Sequence, residues 1–137
     1  MVSLASTLGN GKFSKTGGWE DKSEEISAAI SVSGAYDLVE LDWGSGWLPP
    51  GEDWRAAREY ASPINHVSSH NKPLLLLHSG DDHSVPVQQA VDMSEALKRN
   101  GGKHQFERYS NRGHMLVTEE VIEVALGFIT KVSTGGM

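Results

Sequence analysis

Pro73-Leu74-Leu75-Leu76-Leu77-His78-Ser79 is the stretch that decides the fold. It is a continuous apolar run of strand length, bounded by Pro73 on one side and by Gly80-Asp81-Asp82 on the other. A strand without polar alternation must be buried on both faces, which is the situation of a central strand in a parallel sheet. Downstream, Val87 to Asn100 predicts a helix, with Val87, Ala90, Val91 and Leu97 on one face, Pro86 ahead of its start and Gly101-Gly102 beyond its end. Gln105-Phe-Glu-Arg-Tyr109 then alternates in period two and predicts a strand. Thr118 to Lys131 predicts a second helix, with Val121, Val124, Ala125, Phe128 and Ile129 on one stripe behind an acidic first turn. Strand, helix, strand, helix at these lengths implies βαβ units. The expected class is α/β, with a short, mostly parallel sheet flanked by helices in three layers.

Upstream, Ile26-Ser-Ala-Ala-Ile-Ser-Val-Ser-Gly34 is short, partly β-branched and closed by glycine, and it predicts a strand, with helix as the alternative. Residues 36–71 form an irregular connecting or cap segment that holds Trp43, Trp47, Trp54 and Pro49-Pro50, with a short helix over Trp54 to Tyr60. Gly9 to Glu25 is rich in Gly, Lys, Ser and Asp and predicts an exposed loop. Met1, Leu4, Ala5 and Leu8 fall at i, i+3, i+4 and i+7, so the first eight residues predict a helix with an apolar face.

A chain of 137 residues makes one small domain, here 1–137, able to bury a core. Apolar residues at 38% and charged residues at 22% place it among folded globular chains. The net charge of -6, with no cluster of Lys and Arg, argues against a nucleic-acid partner. With no cysteine there is neither a disulfide nor a thiolate metal site. No apolar run approaches the roughly 20 residues that cross a bilayer, so no membrane partner is expected and the cytoplasm is the default compartment. No cofactor is called for.

In open α/β sheets, functional groups collect in the loops beyond the carboxyl ends of the strands. Two loops qualify. The first, His78-Ser-Gly-Asp-Asp-His-Ser-Val-Pro86, carries two adjacent carboxylates, and the second, Ser110-Asn-Arg-Gly-His114, carries one histidine. An acid followed by a histidine on successive strand ends matches the chain order Ser, Asp or Glu, His of the α/β-hydrolases. The pattern Pro73-Leu-Leu-Leu-Leu-His-x-x-x-Asp-x-x-Val-Pro86 resembles the acid loop of that superfamily, as found in carboxylesterases and prolyl-oligopeptidase-like serine hydrolases. Ser-x-x-Gly-His114 resembles its histidine loop, Ala29-Ile-Ser-Val-Ser-Gly-Ala-Tyr-Asp-Leu38 its preceding strand, and Ala61-Ser-Pro63 the lead into the acid strand. The resemblance implies the C-terminal half of an α/β-hydrolase fold. It implies Asp82 as the acid and His114 as the general base, with Asp81 the weaker candidate for the acid, and activity on ester or peptide bonds.

One departure bears on function. The nucleophile of this superfamily sits in G-x-S-x-G on a strand-to-helix turn, and no G-x-S-x-G occurs in this sequence. The opening Met-Val-Ser-Leu-Ala-Ser-Thr-Leu resembles the helix that follows that turn, so the expectation is a chain that starts just after its nucleophile and oxyanion hole and is inactive alone. The alternatives are a serine hydrolase completed by a serine from another chain or by an unrecognised serine, and a small ligand-binding module. The strand at Ile26 to Gly34 would have lost its neighbour, so the chain is expected to form a homo-oligomer, a dimer, through that edge, with Leu4 and Leu8 across the seam.

Other residues carry weaker expectations. Tyr36, Trp43 and Trp47, with Trp54, could line a substrate pocket or simply pack beneath the cap. His78, Asp81, Asp82 and His83 have metal-ligand chemistry but are crowded in sequence, which is not convergence in space, and no metal is expected. His66 and His70 read as a solvated loop, and His104 as exposed. Ser33-Gly34 ends a strand near the expected site, yet Ser33 lacks the preceding glycine and following helix of an exposed nucleophile.

Overall fold

The computed structural model of the chain describes residues 1–8, 18, 21–23, 25–41, 43–44, 46, 51 and 53–137. The leucine run forms the middle strand, β2 (Leu74–Ser79), between β1 (Ala29–Val32) and β3 (His104–Tyr109). Both pairings are parallel, with Ala29 opposite Leu74 and Leu74 opposite His104. Among the described residues four helices accompany them: α1 (Val2–Leu8), α2 (Trp54–Ala61), α3 (Gln88–Arg99) and α4 (Glu119–Ser133), with a 3-10 turn at Pro63–His66 after α2.

Every residue of β2 is buried. Its side chains alternate between two apolar clusters. Leu74 and Leu76 pack with Ala29, Tyr36, Ala90, Met93 and Leu97 on the α3 side, and Leu75 and Leu77 pack with Met115, Val121 and Phe128 on the α4 side. At about 1.5–3 kcal/mol for each fully buried leucine, this strand is the main apolar reservoir of the domain. The result is the expected three-layer α/β arrangement, a short parallel sheet flanked by helices.

Local chemistry sets the element ends. Asp53 caps α2 by accepting from the N–H groups of Arg55 and Ala56, and Thr118 caps α4 by accepting from Val121. After α3 the chain closes a Schellman turn, with Gly102 N–H donating to Leu97 O at 2.8 Å and Gly101 N–H to Lys98 O at 3.3 Å. Gly101 adopts φ +69 there, which glycine accepts without the Cβ penalty. Gly34 has a different reason: a Cβ at that position would lie 2.3 Å from Ser31 Oγ and 2.6 Å from the Tyr36 hydroxyl.

Several expectations need correction. The buried side of α3 is Gln89, Ala90, Met93, Ala96 and Leu97, while Val87 and Val91 stay partly exposed, because the helix turns Ala90, Met93 and Leu97 onto β2. In α1, where the sequence left the buried face open, the polar side faces inward: Ser3, Ser6 and Thr7 are buried. Their hydroxyls return to backbone carbonyls (Ser6 Oγ to Ser3 O, 2.8 Å; Thr7 Oγ1 to Ser3 O, 3.1 Å), so small side chains let the helix sit close against β1 and the 3-10 turn. Two further bonds hold it, from Lys72 N–H to Ser6 O at 3.0 Å and from Asn71 Nδ2 to Thr7 O at 3.0 Å. Met1, Leu4, Ala5 and Leu8 instead line an apolar groove of about 490 Å³ with Ala57, Tyr60 and Ala61 of α2. His104 is half-buried rather than exposed, clasped between Ser94 Oγ and Gly102 O. Within residues 36–71, the buried guanidinium of Arg58 donates to the carbonyls of Leu38, Leu41 and Trp43 and ties that irregular stretch to α2.

A core position and an exposed one on this scaffold should respond very differently to truncation. Leu97→Ala, at a fully buried site, is expected to cost about 2–5 kcal/mol. Leu126→Ala, 58% exposed on α4, should stay within about 0.5 kcal/mol. Urea denaturation of both variants checks this.

Candidate active site

Because all three strands run parallel, their carboxyl ends lie at one end of the sheet, and each contributes to a single cluster there. β1 runs into Ser33, β2 runs into the acid loop, and β3 runs into the histidine loop. His114 Nδ1 lies 2.9 Å from Asp82 Oδ2. Since an ionised carboxylate only accepts, Nδ1 carries the proton, which in the neutral ring leaves the lone pair on Nε2.

Asp82 is almost wholly covered, its side chain completely so, whereas the His114 side chain is 48% exposed. Burial pushes the Asp82 carboxyl up. Four groups outweigh it and hold the carboxyl below its ordinary range: the Val85 and Ser84 backbone N–H groups first, then His114 and the Ser33 hydroxyl. The backbone donors meet Oδ1 at 2.9 and 2.8 Å. His78 Nε2 approaches Oδ2 at 3.3 Å and Val85 O at 2.9 Å. Both are acceptors, so its proton is on Nε2, and its Nδ1 is buried without a hydrogen-bond partner.

Asp81 has a different task. Its Oδ1 takes the Ser79 hydroxyl and, at 3.3 Å each, the N–H groups of Arg112 and Gly113. The Ser79 bond is the largest of the effects that hold its carboxyl below the ordinary range, against some burial. Gly80 N–H adds a bond to Tyr109 O at 2.9 Å. The acid and histidine loops are thus sewn together through Asp81, Ser79 and Gly80 independently of the Asp82–His114 contact. Asn111 adopts φ +58 in the histidine loop, a left-handed conformation that asparagine tolerates better than most side chains.

His114 also forms one wall of an open cleft of about 500 Å³ with Arg112, Met115, Leu116, Thr118 and Glu119. Of the aromatic candidates, Tyr36 and Trp43 do not line it. Tyr36 is fully buried in the α3-side core, its hydroxyl 2.9 Å from Ser31 Oγ, so it is a packing residue and not a pocket wall. Trp43 is half-exposed and serves Arg58 through its carbonyl. Trp47 lies outside the described residues. Trp54 stacks with Arg58, whose guanidinium carbon is 5.6 Å from the ring centre. His66 is tied to Tyr60 O at 2.6 Å, and His70 and His83 are exposed. Among the described residues no three His, Asp or Glu side chains converge on a metal-sized site. Sequence reading missed the roles of Ser33, Ser79 and Asp81. Their only signal was position, at the ends of the first two strands.

Comparison with known proteins places the chain in context. Residues 20–133 match the model of the prolyl oligopeptidase family. The chain is 25% identical over 107 residues to the Arabidopsis thaliana protein named probable isoprenylcysteine alpha-carbonyl methylesterase ICMEL1, covering 67% of this chain and 22% of that protein. It is 28% identical over 93 residues to the Mycobacterium tuberculosis probable carboxylic ester hydrolase LipM, covering 60% of this chain and 22% of that protein. The chain therefore spans about a fifth of the length of these relatives. Among solved structures, a truncated form of a carbohydrate esterase from gut microbiota superposes with a TM-score of 0.73 at 19% identity, over 96% of this chain and 55% of that one. An acetyl ester-xyloside bifunctional hydrolase from Caldicellulosiruptor lactoaceticus superposes at 0.69 with 25% identity, over 97% and 52%.

The lowered Asp82 pKa has a stability consequence with a definite sign. A carboxyl whose folded value lies below its unfolded one stabilises the fold above the unfolded value, near 3.8, and loses that contribution as pH falls through the folded value. The stability advantage of the unsubstituted chain over Asp82→Asn should therefore be full at neutral pH and shrink below about pH 4. Urea unfolding across pH 7 to 2 measures it.

Proposed function

Since the chain belongs to the prolyl oligopeptidase family of α/β-hydrolases, we propose that Asp82 and His114 are the acid and general base of a serine-hydrolase triad acting on ester or peptide bonds. The 2.9 Å contact between a buried carboxylate and a half-exposed imidazole carries this reading. In such a triad the carboxylate fixes the imidazole tautomer and stabilises the imidazolium formed when Nε2 takes the proton of the nucleophilic serine. The 137 residues hold no G-x-S-x-G. Loss of a triad serine costs on the order of a millionfold in turnover. The chain by itself is accordingly inactive, and its acid and base act only with a nucleophile supplied from elsewhere.

The proposal extends to a second copy of the chain. Among the described residues β1 has a ladder partner on one side only, and an open strand edge templates further pairing. Two copies related by a two-fold axis would join their β1 edges antiparallel, and the apolar groove between α1 and α2 would gain cover near the seam.

The purified chain should hydrolyse p-nitrophenyl acetate at background, with no change on His114→Ala and no labelling by a fluorophosphonate. Robust turnover abolished by that substitution would overturn the inactive reading. For the pair itself, ¹⁵N NMR should show His114 protonated at Nδ1, a preference lost in Asp82→Asn. In light scattering on a sizing column the chain should run as a dimer, and a clean monomer at micromolar concentration would refute self-association.

A further inference from the structure

We propose that Ser33 is a positioning residue: its buried hydroxyl clamps the acid loop to the histidine loop and so sets the placement of Asp82 against His114. The proposal rests on the reading of those two residues as acid and base. Ser33 is the residue that follows β1, it is 5% exposed, and its Oγ accepts the N–H of Met115 at 2.9 Å across 82 residues of sequence. Met115 is itself buried and directly follows His114, so this bond fixes the backbone from which the imidazole projects. A hydroxyl has one proton besides its lone pairs. With a lone pair taken by Met115, that proton remains available to the Asp82 carboxylate, and the hydroxyl is among the groups that hold that carboxyl below its ordinary range.

The backbone supports a functional reading over a merely tolerated one. Ser33 adopts φ +48 while its own N–H donates to Leu77 O at 2.9 Å. A non-glycine residue in this left-handed region is strained, and glycine would remove the strain but also the hydroxyl. Such an outlier at the convergence of three strand ends is explained if the side chain is used. A serine that served only to bond the Met115 amide would leave the Asp82 carboxyl untouched, and that separates the two roles.

The test uses the full chain with Ser33→Ala and Ser33→Gly, the second relieving φ so that at least one variant folds. The ionisable groups facing Asp82 are His78 from β2, His114 from the histidine loop and its chain neighbour Asp81, and each is followed by its own resonance. In both variants the ¹³C titration of the Asp82 carboxyl should move upward toward the ordinary carboxylate range. Met115 amide exchange should accelerate by about tenfold or more relative to Leu76, as expected when a buried donor loses its acceptor. Ser33→Gly should be more stable than Ser33→Ala and yet show both changes. An unchanged Asp82 titration in folded Ser33→Gly, or Met115 exchange that merely tracks global stability, would overturn the clamp. Failure of the acid–base reading appears separately, as an unsubstituted chain whose His114 is not protonated at Nδ1.

Discussion

The structure depends on β2 being buried on both faces. A strand of four leucines followed by His78 and Ser79, with all six residues out of solvent, needs a ladder on each edge and a layer of side chains on each face. β1 and β3 supply the ladders. α3 and α4 supply the layers, with Met93 and Leu97 on one side and Val121 and Phe128 on the other. The parallel sense of the sheet then does something packing alone would not require. It brings the exits of three strands, separated by tens of residues, to one end of the molecule, where Ser33, Asp82 and His114 meet.

At that end the governing constraint is electrostatic. A carboxylate as covered as Asp82 is costly unless its oxygens are satisfied, and burial is indeed the largest single effect on it. The donors come from all three strand exits: Ser84 and Val85 from the acid loop itself, His78 from the end of β2, His114 from beyond β3 and Ser33 from β1. One oxygen is held by backbone, which leaves the other to orient an imidazole. The partner stays half in solvent, so the pair joins a fixed acceptor to an accessible imidazole. Asp81 shows how little separates the two roles in sequence. One residue earlier in the chain, its carboxylate receives Ser79 and the N–H groups of Arg112 and Gly113 and serves as a tie between loops.

The same economy of small side chains appears at α1. Serine and threonine turned inward satisfy their own hydroxyls on the helix backbone and allow close approach to β1. The apolar residues Leu4 and Leu8 are left facing the groove beside Tyr60. Which face of α1 is buried is decided by how closely the backbones approach and not by the polarity of the stripe.

The α/β class, the central strand, the helices at α3 and α4 and the two loops that hold Asp82 and His114 are all legible in the amino-acid sequence. Each follows from a local pattern: a continuous apolar run, a 3.6-residue stripe with its caps, or a motif of fixed spacing. Other features are visible only in tertiary structure. Tyr36 lies in the core rather than at a pocket, the serine face of α1 is the buried one, His104 is clasped, and Ser33 reaches Met115 across 82 positions. The physical reason is that these depend on which strand ends and helix faces become neighbours. A hydroxyl or a phenol has the same local signature whether it meets water, a carbonyl or a carboxylate, and only the packed sheet determines which of the three it finds.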